Sequence, residues 1–156
     1  MSVLISKHKD FIADMIRYQV SFVLIGGYAV IYHGYVRTTG DLDIWLQPYN
    51  ENKEKLINLL QHLDFNQESI DRVRKADFTK ALALHIGSPP ERIDFMTQIS
   101  GVKFEDAVRD QSYITDGDLR IPVISYKHLI TNKMLSPRLK DRADVEELSK
   151  IRGFSP

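Results

Sequence analysis

The chain has 156 residues, 43% hydrophobic, 27% charged and 10% aromatic, which fits one globular domain over residues 1–156 and excludes a disordered chain, a collagen or a low-complexity repeat. Lys plus Arg and Asp plus Glu are 21 each, so no global field collects nucleic acid or an anionic membrane. The absence of cysteine excludes disulfides, thiolate zinc sites, iron–sulfur clusters and cysteine nucleophiles, and fits a reducing cytoplasm.

Val3-Leu4-Ile5 is too short for a signal peptide. Apolar residues at Phe11, Ile12, Met15 and Ile16 predict a helix over 6–18, with Ser6 as its N-cap. Residues 18–36 carry no Asp, Glu, Lys or Arg. They are still not a membrane span, because Gln19, Ser21, Gly26, Gly27, His33 and Gly34 break the run into strand, turn and short helix. The strand is Phe22 to Ile25, stopped by Gly26-Gly27; the helix is Tyr28 to His33, closed by Gly34. Leu42 to Leu46 is the next strand, ended by Pro48, and 51–63 is an amphipathic helix.

Residues 64–80 show no clear period. Ala81 to Ile86 and Arg92 to Met96 are strands on either side of the turn Gly87-Ser88-Pro89-Pro90. A short helix over 103–110 follows. Asp116-Gly117 then turns a hairpin between Tyr113-Ile114 and Leu119 to Ile124. Ser125 caps a helix reaching Leu135, Pro137 breaks it, and a last helix runs from Arg138 to Ile151. The expected fold class is α+β: a mixed sheet flanked by helices, with two C-terminal helices.

The segment that carries chemistry is Gly26-Gly27, thirteen residues, then Asp41-Leu42-Asp43. Carboxylates two apart on a strand share a face while Leu42 and Ile44 point into a core. Such a pair repels itself unless it is exposed or neutralised by a cation, and oxygen ligands suit Mg²⁺. Asp94, in the apolar run Arg92-Ile93-Asp94-Phe95-Met96, is the third carboxylate if its strand lies beside the Asp41–Asp43 strand. Three carboxylates let two ions serve one phosphoryl centre. A strand that ends in two glycines and opens a helix lets phosphate approach the backbone. The combination suits a metal–nucleoside triphosphate attacked at its α-phosphate.

Each feature also has a plainer reading. Asp41 and Asp43 alone suit an exposed strand edge, Asp94 can pair with Arg92 or Arg120, and Gly26-Gly27 can be a tight turn. His33 suits a hydrogen-bonding helix end, and Trp45 suits the core. Arg37, beside Thr38-Thr39, is a phosphate contact or a loop charge. Asp141 and Asp144 read as surface salt-bridge residues.

Gly26-Gly27-Tyr28-Ala29-Val30, His33-Gly34, Arg37-Thr38-Thr39 and Asp41-Leu42-Asp43-Ile44 together resemble the signature of the polymerase-beta-type nucleotidyltransferase superfamily. Leu129-Ile130-Thr131-Asn132-Lys133 and Arg138 through Asp144 resemble the helical end of its small prokaryotic AbiEii-like, toxin–antitoxin-associated members. The likeness runs roughly from Phe22 to Leu148. It implies Mg²⁺-dependent nucleotidyl transfer with two ions, or Mn²⁺ in their place. Asp41, Asp43 and Asp94 would be the metal ligands, with Asp94 the base for the acceptor hydroxyl. Gly26, Gly27, Arg37 and Thr39 would face the triphosphate. Lys133 would lie beside the β- and γ-phosphates, its loss slowing transfer at least tenfold with little loss of stability. Asp144 would support the site. Acceptors in the superfamily include RNA, proteins and small molecules such as antibiotics. Only two terminal helices follow the sheet here, so acceptor binding can require a partner protein of a toxin–antitoxin pair. The rival is a catalytically silent nucleotide-binding or antitoxin-like regulatory subunit on the same fold. A metal-dependent glycosyltransferase also uses Asp-x-Asp, but needs a longer domain and gives Gly26-Gly27 no role.

Overall fold

Phe22–Ile25 is buried along its whole length and forms β1, a central strand of the sheet. The computed structural model describes residues 4–152, so Val3 of the N-terminal apolar run lies outside the described residues. The chain forms α1 (Ser6–Arg17), β1, α2 (Gly26–Tyr32), β2 (Leu42–Leu46), α3 (Asn50–His62), α4 (Gln67–Lys75), β3 (Ala83–Ile86) and β4 (Ile93–Met96). It continues with α5 (Phe104–Asp110), β5 (Ser112–Asp116), β6 (Leu119–Val123), α6 (Tyr126–Met134) and α7 (Leu139–Arg152). The six strands order as β3-β4-β2-β1-β6-β5. β1 runs antiparallel to β2 and parallel to β6; β2 runs parallel to β4. The outer pairs β3–β4 and β5–β6 are antiparallel hairpins. The mixed α/β fold expected from the pattern is the one observed.

The apolar periodicity explains the packing. α1 buries Phe11, Ile12 and Met15, and α3 buries Leu56, Ile57, Leu59 and Leu60. Trp45 is a core residue: its Nε1–H donates to the Thr97 carbonyl at 3.0 Å and its ring meets Phe104 edge-on at 5.2 Å. Burying a side chain of this size contributes about 1.5–3 kcal/mol.

Three local expectations need correction. Ser6 is not the cap of α1: Ile5 is, because its carbonyl already accepts the Lys9 N–H at 3.0 Å, which puts Ser6 inside the helix. α2 begins at Gly26 rather than Tyr28, so both glycines belong to the helix. The span without a clear period holds α4, capped by the Asn66 side chain accepting from the Ser69 N–H at 2.8 Å. Ser125 caps α6 as expected, accepting from the His128 N–H at 3.2 Å. His33 ends α2, its Nε2–H donating to the Ile124 carbonyl at 2.7 Å and its Nδ1 accepting from Arg152 Nη2 at 3.0 Å. Burial holds this imidazole below its ordinary pKa, helped by the Arg152 charge, which agrees with a neutral ring between those partners.

Candidate active site

The sheet register builds one row of side chains. Ile25 pairs with Asp43 across β1–β2, Asp43 with Asp94 across β2–β4, and Asp94 with His85 across β3–β4. Paired residues point to the same face of a sheet, so Asp43 and Asp94 stand side by side. Asp41 sits just before β2 and lines the same cleft, which has a volume of about 850 Å³. Burial drives the Asp43 carboxyl up from 3.8 to about 6, and the charges of Asp94 and Asp41 push the same way, against Lys133. An acid crowded by two like charges binds either a proton or a cation.

The donors fit a hard divalent ion in kind, being anionic oxygens. They are not gathered into a ready ligand set: among the described residues no group of three or more His, Cys, Asp or Glu side chains is arranged to hold a metal ion. The reason at Asp94 is visible, since its Oδ1 accepts from Arg92 Nε at 2.9 Å. Arg92 is thus the structural partner of Asp94 in this state.

The two glycines are required by packing as well as by any ligand. A Cβ on Gly26 would overlap the Asp43 carboxylate, and Gly26 has φ +70°. A Cβ on Gly27 would overlap the Thr39 hydroxyl and sit 3.4 Å from Arg37 Nη1. Gly26→Ala is therefore expected to destabilise the protein by about 1–3 kcal/mol through strain at positive φ and to displace Asp43. Thermal unfolding checks the first effect and Mg²⁺ titration the second. Gly27→Val would fail at Thr39 before a phosphate arrived, so lost nucleotide affinity in that variant does not by itself show a phosphate contact.

A second group of charges forms the facing wall. Lys133 is 5% exposed and donates to Asp141 Oδ1 at 2.8 Å, with Asp144 Oδ2 at 3.0 Å. Arg37 grips Asp144 with two bonds, Nε to Oδ1 at 2.9 Å and Nη2 to Oδ2 at 3.0 Å. Arg138 grips Asp141 at 2.8 and 3.1 Å, and the Ser136 hydroxyl donates to the same carboxylate at 2.5 Å. Burial works to raise the Asp141 carboxyl, yet the bonds from Arg138, Lys133 and Ser136 outweigh it and hold the group at about 2.

This wall corrects two expectations. Asp141 and Asp144 are not surface salt-bridge residues, being 3% and 1% exposed. Lys133 is not a lone cation that can be removed at little structural cost, because two buried carboxylates depend on it. Sequence reading missed Arg138 and His85, which line the cleft. Their only signal was position: Arg138 lies between Pro137 and the last helix, and His85 lies on the strand across the turn from Asp94. Of the expected site residues, Gly26, Gly27, Arg37, Thr39, Asp41, Asp43, Asp94 and Lys133 all line this one cleft.

No protein-family model and no curated protein matches the chain. Solved structures do. The lincosamide antibiotic adenylyltransferase LnuA, in its lincomycin-bound form, is 16% identical with a TM-score of 0.59, covering 97% of this chain and 99% of its own. TM1012 of Thermotoga maritima, assigned as a nucleotidyltransferase, is 12% identical with a TM-score of 0.55, covering 94% of this chain and 88% of its own. The chain has the fold of these proteins over nearly its whole described length.

Proposed function

We propose that the protein is a divalent-metal-dependent nucleotidyltransferase, which moves a nucleoside monophosphate from a nucleoside triphosphate to a hydroxyl of an acceptor. The observation that carries this reading is the opposition within one cleft. The Asp43–Asp94 pair lies on the sheet, and a wall of Lys133, Arg37 and Arg138 with two carboxylates, net positive by one charge, faces into the same space. That polarity suits a metal on one side and phosphate on the other. The likeness in fold to LnuA and TM1012 supports it.

Asp41, Asp43 and Asp94 are the residues that would hold Mg²⁺, two ions, or Mn²⁺. Bound there, the ions supply Lewis-acid stabilisation of the phosphoryl charge and favour the deprotonated acceptor oxygen. The chain does the rest. The backbone at Gly26 and Gly27, with Thr39, orients the triphosphate, and the positive wall attracts the β- and γ-phosphates. Asp94, released from Arg92, takes the proton of the acceptor hydroxyl. The new bond joins the acceptor oxygen to the α-phosphorus, the bond to the bridging oxygen breaks, and pyrophosphate leaves.

The helical end from Leu129 to Asp144 supports placing the chain with the AbiEii-like members, and with them a toxin–antitoxin partner, an RNA, protein or small-molecule acceptor, and a cytoplasmic setting. No helix of the described residues is long and apolar enough to cross a membrane. Two ion pairs favour a second reading, a silent nucleotide-binding subunit: Arg92 holds Asp94, and Asp144 holds the Arg37 fork. Calorimetry with each of the four nucleoside triphosphates tests the binding half. Affinity that rises at least tenfold on adding Mg²⁺ is expected; equal affinity with and without the ion counts against the metal site.

A further inference from the structure

The two ends of the cleft differ in chemistry. Gly26, Gly27, Arg37 and Arg138 lie on the phosphate side already described. Beyond Asp94 the lining is made by Ala83, His85, Met96, Gln98, Ile99 and Asn132. The floor here is the β3–β4 hairpin, where Ala83 pairs with Met96 and His85 with Asp94. The roof is the end of α6, tied down by the Asn132 amide donating to the Ser100 carbonyl at 3.1 Å. These six residues include no Lys, Arg, Asp or Glu. Arg92, which immediately precedes β4, is turned to Asp94.

From this lining we infer that the β3–β4–α6 end of the cleft is the acceptor subsite, and that its acceptor is an uncharged, hydroxylated small molecule with one apolar face. This rests on the nucleotidyl-transfer reading and deepens it. A polyanionic acceptor such as an RNA end would bring its phosphates against these six side chains, none of which is cationic. A polycationic acceptor would find no carboxylates there beyond those the metal needs. A neutral polyol finds amide and imidazole hydrogen-bonding groups at Gln98, Asn132 and His85, and a thioether and alkyl surface at Met96 and Ile99. His85 stands in register with Asp94, so a hydroxyl bound to the imidazole lies beside the carboxylate that takes its proton.

The test uses the full chain with labelled Ile and Met methyl groups, followed by NMR. A mixture of the four nucleoside triphosphates with Mg²⁺ is added first and read at Ile25, which lines the phosphate end. Alkyl glucosides and cyclohexanediols are then titrated, with an aminoglycoside and a short single-stranded RNA in parallel. The uncharged probes are expected to shift the Met96 and Ile99 methyls, and Ala83→Glu to weaken them at least tenfold. Ala83 is exposed, so that substitution leaves the core intact. The inference is overturned if the RNA or the aminoglycoside shifts those methyls, if the uncharged probes leave them unmoved, or if Ala83→Glu changes nothing. A silent Ile25 would instead count against nucleotide binding itself.

Discussion

Lys133→Ala is expected to lower the unfolding free energy by about 3–5 kcal/mol, the range for removing one partner from a buried ion pair. The substitution strands Asp141 and Asp144, which are almost fully buried and lose their shared cation at 2.8 and 3.0 Å. Arg138 and Arg37 remain as second partners, so the fold survives at low temperature. For a chain of this length the midpoint should fall by about 10 °C. Lys127→Ala is the control: it is an exposed residue of the same helix and should be near neutral. Equal midpoints for the two variants by calorimetry would show that the network contributes nothing to stability. Below the new midpoint, where both variants stay folded, Lys133→Ala should also slow transfer at least tenfold, about 1.4 kcal/mol in the barrier.

Asp43→Asn is expected to abolish Mg²⁺-dependent transfer and, without metal, to make the protein more stable at pH 7. The sign follows from the raised carboxyl. Asp43 titrates at about 6 in the fold against 3.8 ordinarily, so the folded state holds the proton more tightly. That contribution to stability is fully present below about pH 4 and is lost as the pH rises through 6. At pH 7 the ionised side chain costs about 3 kcal/mol, which the amide avoids. The two proteins should therefore have similar midpoints near pH 4 and diverge by pH 7. Adding Mg²⁺ should stabilise the Asp43 protein and leave the Asn variant unmoved. A variant that tracks the parent at both pH values would mean that Asp43 is not crowded. One that keeps full activity in Mg²⁺ would remove it from the metal site.

The sequence carried the local elements well where one face was apolar. Phe22–Ile25 and Leu42–Leu46 have the bounds read from the pattern, because each run is bounded by a breaker: glycines after Ile25, Pro48 after Leu46. α4 escaped because Ile70 and Val73 are its only apolar residues and five of its nine residues are charged. Asn66, an N-cap residue type with Glu68 in the first turn after it, was the usable signal. The side-by-side placement of Asp43 and Asp94 was legible as a condition on which strands neighbour each other, and the parallel β2–β4 pairing meets it. The Lys133 network was not legible. Lys133 and Asp141 are eight residues apart and Arg37 and Asp144 are 107 apart, so neither pair lies at a spacing that local helix geometry brings together. Gly26 and Gly27 show the same limit. Their place was clear from the motif, but the reason that a side chain is excluded lies in Asp43 and Thr39, which only the folded chain brings there.

The most direct measurement is the fate of the phosphate label. The protein is incubated with Mg²⁺ and a nucleoside triphosphate mixture labelled at the α-phosphate in one reaction and at the γ-phosphate in the other. Total cell RNA, protein and a small-molecule extract are supplied as separate acceptor fractions. The expected result is α-label joined to one fraction, the γ-label released as pyrophosphate, and neither seen with Asp43→Asn. Transfer of γ-label, or nucleotide binding with no α-label moved to any fraction, would contradict nucleotidyl transfer; the second outcome would leave a silent nucleotide-binding subunit on this fold.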